Sequence, residues 1–179
     1  MAKTYDVIYM DACVIFDCLT KLPKYYPHVE PILRDAKADK LTIVASTICF
    51  SEVFMIRDDP DGAEKIEAFF NQEFVAVYDV DDLIARKAGE IRSKAKLETA
   101  DALHLATAIA KGAQVFLTRD GDGERAKKAN KETILELRQD LSQLIEIMTP
   151  AEYFTMISSA SKQMEITPDE PEEESHEEE

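Results

Sequence analysis

The sequence predicts an α/β fold, a three-layer α/β/α sandwich whose central, mostly parallel sheet has about five strands. Short apolar runs alternate along the chain with amphipathic segments of helical length, the pattern of strands joined by crossover helices. With 179 residues, the chain is long enough for one domain with a sizeable core. The apolar run VIYMDACVIFDCL is interrupted by Asp11 and Asp17, so we expect no membrane span.

The first half of the chain is predicted to alternate strands and helices. Its first strand is a buried apolar run that ends at Asp11, and the helix after it stops at Pro23. Ser46 or Thr47 is expected to cap the helix that follows the second strand. The predicted strands are 5–10, 41–45 and 74–80, and the predicted helices are 12–22, 28–38, 48–57 and 60–72.

The second half continues this alternation. Asp81 or Asp82 is expected to cap one helix, and Gly112 is a typical residue for ending the next. The predicted helices are 82–95, 100–111, 124–141 and 151–159, and the predicted strands are 114–118 and 144–148.

The negative charge of the chain is concentrated at its end. The net charge is −15, and from Gln163 onward there are nine acidic residues and no Lys or Arg, which leaves −6 on the rest of the chain. We therefore expect a folded domain over 1–162 and a disordered acidic tail over 163–179. The charge of the folded domain neither suggests nor excludes a nucleic-acid partner.

The cysteines and the first residues of the chain favour a cytoplasmic protein. Cys13, Cys18 and Cys49 are odd in number and show no CxxC spacing, which favours reduced thiols over a disulfide framework. The opening MAKTYDV lacks the pattern of a signal peptide.

Four carboxylates occupy positions that point to a common site. Asp11 follows the first strand, and Asp120 follows the strand over 114–118. Because ligands bind at the carboxyl ends of parallel strands, both acids are candidates. Glu52 lies in an apolar helical stripe, and Asp101 lies at the edge of the apolar arc of helix 100–111. We expect all four to converge at one edge of the sheet.

Each acid, taken singly, also has a structural explanation. Asp11 could cap the following helix, and Asp101 could interact with a helix dipole. Asp120 could be a turn residue, and Glu52 could pair with a basic residue. These explanations weaken when the four acids are considered together, because both strand ends and both helices point toward one edge of the sheet.

A histidine close to one of these acids is predicted to lie outside the site. His104 comes three residues after Asp101, but at helical spacing it projects toward the side of Thr107 and Lys111. We expect a surface or rim histidine there and not a metal ligand.

Converging carboxylates require a counter-charge, and oxygen ligands suit Mg²⁺ or Mn²⁺. Two such ions can stabilise the attacking and leaving oxygens of a phosphodiester displacement. The segment DGDGE is not an EF-hand loop, because Arg125 and Lys131 stand where Gly and Glu are required. Asp122 is a possible fifth acid at the site.

The sequence resembles the PIN-domain nucleases, and is most similar to the VapC-type toxins of toxin–antitoxin systems. Four segments carry the resemblance in family order. They are VIYMDACVIFDCL, STICFSEV, ETADALHLATAIAKGAQVFLTRD and IEIMTPAEYF. The third is the most specific, since it combines a helix, a strand and the acid after that strand. Together they span nearly all of residues 5–155.

The resemblance implies a nuclease that binds Mg²⁺ or Mn²⁺ and cuts RNA. Asp11, Glu52, Asp101 and Asp120 match the acidic quartet of the family. The resemblance implies that Asp11 and Asp101 hold the main metal, while Glu52 and Asp120 complete the cluster and help to position the attacking water. Thr118 matches a family position that carries Ser, Thr or Asn. The expected protein partners are a cognate antitoxin and a second copy of the chain, as a homodimer.

Two other functions compete with metal-dependent RNA cleavage. A catalytically silent PIN fold could serve as an RNA-binding or assembly module, although such a module has no reason to keep four repelling acids. A receiver-like phosphoacceptor domain ranks lower, because no suitable Lys follows QVFLT. A basic stretch in the predicted helix 124–141 is a candidate RNA surface. It contains Arg125, Lys127, Lys128 and Lys131.

Overall fold

The structure, a computed structural model, describes residues 5–53, 56, 59–122 and 132–164, with side chains as far as Ser159. The strands are β1 (Val7–Met10), β2 (Thr42–Ser46), β3 (Val75–Tyr78), β4 (Val115–Leu117) and β5 (Glu146–Met148). The first four helices are α1 (Ala12–Thr20), α2 (Tyr26–Lys37), α3 (Ile48–Val53) and α4 (Gly62–Phe70). The others are α5 (Asp82–Lys94), α6 (Thr99–Ala110), a short 3₁₀ helix (Ile134–Leu137) and α7 (Pro150–Met164).

The five strands form one parallel sheet in the order β3-β2-β1-β4-β5. Strand β1 lies at its centre and pairs with β2 and β4. Met10 is opposite Leu117, so β1 and β4 end at the same level. The residues that follow these two strands therefore emerge side by side at the carboxyl edge of the sheet.

Helices cover both faces of the sheet, which completes the predicted α/β/α sandwich. On one face, Ile8, Met10 and Ile43 belong to a core shared with α1, α2, α4 and α7. On the other face, Tyr9, Val44 and Phe116 belong to a core shared with α5, α6 and the 3₁₀ helix. Alternate residues of a strand point to opposite faces, so an apolar strand such as β1 supplies both cores. In the described part of the chain, no helix is both long and apolar enough to cross a membrane.

The capping predictions agree with the structure where the cap is described. The Asp81 carboxylate accepts a hydrogen bond from the Ile84 amide at the start of α5. The Ser46 hydroxyl accepts one from the Ile48 amide at the start of α3. Gly112, just beyond α6, has a φ of +71°, a backbone conformation that favours glycine.

The helix predicted over 124–141 is wrong where the structure describes it. Residues 134–137 form one turn of 3₁₀ helix, and residues 138–144 form turns. The Glu136 carboxylate accepts a hydrogen bond from the Thr133 amide, and the buried Ile134 and Leu137 follow the three-residue spacing of a 3₁₀ turn. Residues 123–131, which include the predicted basic surface, lie outside the described residues.

Two helix ends differ further from prediction. Helix α3 is described over Ile48–Val53, and Ile56 is already outside the helix, short of the predicted 57. Helix α7 continues past Ser159 to Met164. The division between domain and tail at 162/163 stays a prediction, because residues 165–179 lie outside the described part of the chain.

Candidate active site

The four predicted acids line one pocket at the carboxyl edge of the sheet. The pocket has a volume of about 340 Å³. Each acid comes from a different segment, so the pocket forms only when the sheet is assembled. The lining residues are Asp11, Glu52, Asp101 and Asp120, together with Ala12, Cys13, Phe16 and Arg119.

Asp11 is buried and held by hydrogen bonds from three sides. Its Oδ1 accepts from the Ala12 amide at 2.8 Å, which makes Asp11 the N-cap of α1. Its Oδ2 accepts from the Thr118 hydroxyl at 2.6 Å and from the Cys13 thiol at 3.2 Å. Asp11 therefore caps α1 and also lines the pocket. It can do both because a carboxylate can accept about four hydrogen bonds.

Glu52 extends from α3 toward a histidine on α6. Its Oε2 lies 2.6 Å from His104 Nε2, which donates the hydrogen bond because a carboxylate has no proton to give. The Glu52 side chain is 36% exposed, whereas the His104 side chain is 1% exposed. The alternative that Glu52 pairs with a basic residue therefore applies, and that residue is a histidine.

The prediction that His104 is a surface or rim residue is wrong. Both His104 and Thr107 are fully buried, because α6 is covered on nearly every side. His104 Nδ1 lies 2.7 Å from the Tyr9 hydroxyl, and its Nε2 lies 4.0 Å from Asp11 Oδ1. His104 therefore connects the core of the sheet to two of the four acids.

The surroundings of His104 favour its charged form. Burial lowers the pKa of the imidazole, but hydrogen bonds to Cys49 and Glu52 and the charge of Asp11 outweigh burial. Together they hold the pKa of His104 well above its usual range. A protonated imidazole places positive charge behind the acids, which reduces their mutual repulsion.

The remaining two acids are positioned by the ends of their elements. Asp101 lies in the first turn of α6 and is half-buried. Asp120 follows β4, and its Oδ2 accepts a hydrogen bond from the Ile134 amide at 2.9 Å. Its own amide donates to the Thr118 hydroxyl, so Thr118 contacts both Asp11 and Asp120. Thr118 thus occupies the place near the cluster that the sequence predicts.

The donor set fits a hard divalent cation. Three possible ligand atoms lie within 4.8 Å of one another: an oxygen of Asp11, an oxygen of Glu52 and a nitrogen of His104. The pocket is also lined by Asp101 and Asp120. Since His104 Nε2 donates its proton to Glu52, the ligands facing the pocket are carboxylate oxygens. Such oxygens are the ligands that Mg²⁺ and Mn²⁺ prefer.

The comparison with known families agrees with this geometry. The model of the PIN domain matches residues 8–131, a span that includes all four acids. The chain belongs to the PIN domain family. This confirms the resemblance inferred from the sequence, and the parallel five-stranded sheet is the architecture expected for it. No match is found among curated proteins.

Solved structures of toxin–antitoxin proteins share the fold of this PIN domain. VapBC2 from Rickettsia felis, bound to a DNA fragment from its promoter, is 15% identical with a TM-score of 0.54. That alignment covers 80% of this chain and 98% of the other. DNA-bound VapBC from Salmonella typhimurium is 16% identical with a TM-score of 0.52, covering 84% and 99%. Mycobacterium tuberculosis VapC20, a sarcin-ricin loop cleaving toxin, is 18% identical with a TM-score of 0.53, covering 70% and 98%.

Two residues at the PIN domain site were not predicted from the sequence. His104 is buried next to two of the acids, and Arg119 lines the pocket. A signal for His104 was present, because residues 102–110 contain no Asp, Glu, Lys or Arg. A helix with one face in water normally carries charges there, so their absence indicates burial on both sides. Arg119 lies between Thr118 and Asp120, and nothing in its spacing shows where its side chain points.

Proposed function

We propose that this PIN domain is a Mg²⁺- or Mn²⁺-dependent endoribonuclease, the toxin of a type II toxin–antitoxin pair that acts in the cytoplasm. The observation that carries the proposal is the meeting of four carboxylates from four segments around one pocket. Four acids in one pocket repel each other unless a cation is present. A role limited to RNA binding gives no reason for this arrangement.

Asp11 and Asp101 would hold the main metal ion, and Glu52 and Asp120 would complete the cluster. A bound divalent cation supplies stabilisation of the charge that develops on a phosphodiester during hydrolysis. The chain contributes preorganised ligands. Thr118 fixes Asp11, His104 fixes Glu52, and the Ile134 amide fixes Asp120. With their orientations set in advance, these carboxylates can bind a cation and a water molecule without rearranging.

The similarity to VapBC complexes supports a protein partner. The structures from R. felis and S. typhimurium are of DNA-bound VapBC, and the similar Klebsiella pneumoniae structure is a toxin–antitoxin complex. We propose a cognate antitoxin for this chain as well. The homodimer expected from the sequence stays a prediction.

We expect the protein to cleave a labelled RNA with Mn²⁺ and to stop when EDTA is added, because the acids cannot stabilise the transition state alone. Single-stranded DNA of the same sequence serves as the matched control substrate. Millimolar Mn²⁺ should also raise the melting temperature, since a cation relieves the repulsion between the acids. Undiminished cleavage in EDTA contradicts the metal requirement. A folded protein that binds Mn²⁺ and RNA but cuts none supports the silent-module alternative.

A further inference from the structure

A single arginine joins the acidic pocket to a second depression on the surface. Arg119 lines the pocket that contains the four acids. It also lines a neighbouring depression whose other residues include Lys24, Tyr25 and His28. Its side chain is 23% exposed, so it is accessible from solvent.

Three contacts fix the guanidinium of Arg119 in place. Nε and Nη2 donate to the two carboxylate oxygens of Asp17 at 2.6 and 3.0 Å. Nη2 also donates to the Cys13 carbonyl at 3.3 Å, and the guanidinium carbon lies 4.1 Å from the centre of the Tyr25 ring. These contacts hold one edge and one face of the guanidinium, so its orientation beside the pocket is fixed.

The pair formed by Arg119 and Asp17 is poorly explained by stability alone. Asp17 is fully buried, and burial raises the pKa of its carboxyl although Arg119 opposes the shift. A buried ion pair of this kind seldom stabilises a fold more than apolar residues of the same size would. Within the described part of the chain, Nη1 of Arg119 makes no hydrogen bond, so the edge of the guanidinium that carries Nη1 can bind a ligand.

We propose that Arg119 binds a phosphate of the RNA strand at the mouth of the acidic pocket. The inference rests on the proposed function. A strand entering a pocket lined by four acids is repelled by them, and a fixed cation at the rim offsets that repulsion. Guanidinium groups suit this task because they can hold a carboxylate on one edge and a phosphate on another.

The second depression indicates where the strand continues. Lys24 Nζ lies 4.9 Å from the centre of the Tyr25 ring, which the Arg119 guanidinium also contacts, and His28 lines the same depression. The acids that line this depression are Asp122 and Asp17, and Asp17 is paired with Arg119. A phosphate backbone leaving Arg119 in this direction meets the cation of Lys24.

Two double variants test the proposal while leaving the net charge of the chain unchanged. Asp17→Asn with Arg119→Gln removes the ion pair at the pocket. Arg138→Gln with Glu152→Gln removes an equivalent bidentate pair that lies away from the acids and serves as the matched control. Binding of a labelled single-stranded RNA is measured across a salt series with Ca²⁺ replacing Mn²⁺, after verifying that the RNA stays intact.

The pocket variant is expected to bind RNA about tenfold more weakly at low salt. Its slope of log affinity against log salt should fall by about 0.7, the value for one contact to a single strand. The control variant should match wild type, and Mn²⁺ affinity should be unchanged in both. Equal RNA affinities and slopes in the two double variants would overturn the role of Arg119. Wild-type protein that neither binds nor cuts RNA would instead overturn the proposed function.

A third variant keeps the proposal testable should the pocket variant fail to fold. Arg119→Lys retains the charge and the pairing with Asp17 but lacks the planar guanidinium with its several N–H donors. We expect it to weaken RNA binding several-fold while leaving the salt slope intact. Full wild-type affinity in Arg119→Lys would contradict a guanidinium–phosphate contact.

Discussion

Replacing Asp11 with asparagine is expected to reduce RNA cleavage by a factor of about 10³ or more. The oxygen of asparagine can still accept from the Ala12 amide, and its NH2 group can donate to the Thr118 hydroxyl, so the start of α1 and the end of β4 should keep their positions. What is lost is a negative charge at the centre of the acidic pocket, and with it the affinity for a divalent cation. Single-turnover cleavage and Mn²⁺ titration measure the two losses separately.

The control for this variant is Asp39→Asn. Asp39 is exposed in the loop before β2, away from the pocket, and its φ of +55° suits asparagine as well as aspartate. The Asp39→Asn protein should cleave RNA and bind Mn²⁺ as the wild-type protein does. An Asp11→Asn protein that is folded and cuts RNA at the wild-type rate would remove Asp11 from the proposed chemistry.

Changes at His104 are expected to have the second largest effect, because this residue orients Glu52. Truncation to alanine leaves a cavity and takes one hydrogen-bond partner from the buried Tyr9 hydroxyl, and should cost about 2–5 kcal/mol of folding free energy. A milder pair of variants separates orientation from stability. The amide of His104→Gln can reach the position of Nε2 and donate to Glu52, whereas the shorter amide of His104→Asn reaches only toward Tyr9.

We therefore expect His104→Gln to keep kcat within about tenfold of wild type and His104→Asn to lose about a hundredfold, with KM for RNA little changed in both. The loss should appear in kcat because His104 contacts Glu52 and not the RNA. Rates that fall equally in the two variants would show that the hydrogen bond to Glu52 is not what matters. Melting temperatures of both variants provide the check on folding.

The fold was predictable because its strands are short, apolar and separated by recognisable helix caps. Strand β1 is buried on both faces, so its residues form a continuous apolar run that is readable without a partner strand. The segment after Asp120 was not predictable in this way. Residues 132–141 have a helical composition, but the Asp120 carboxylate binds the Ile134 amide and confines the segment to a short 3₁₀ turn. That contact depends on tertiary structure.

The four acids of the site could be placed from sequence because each is anomalous in its local context. Asp11 ends an apolar strand, and Glu52 lies in an apolar stripe. The partners of these acids are not anomalous. A histidine within a helix and an arginine after a strand are ordinary residues, and only the packing of α6 on the sheet reveals that His104 is buried. Groups that position a site are harder to recognise from sequence than the groups that perform its chemistry.

Binding of a divalent cation by the four carboxylates can be observed by diffraction from crystals grown with Mn²⁺, measured at a wavelength where manganese scatters anomalously. We expect an anomalous peak inside the pocket, about 2.0–2.3 Å from oxygens of Asp11 and Asp101, with His104 Nε2 still hydrogen-bonded to Glu52. A peak elsewhere in the protein, or one in which His104 Nε2 is a ligand and Asp101 is not, would contradict it.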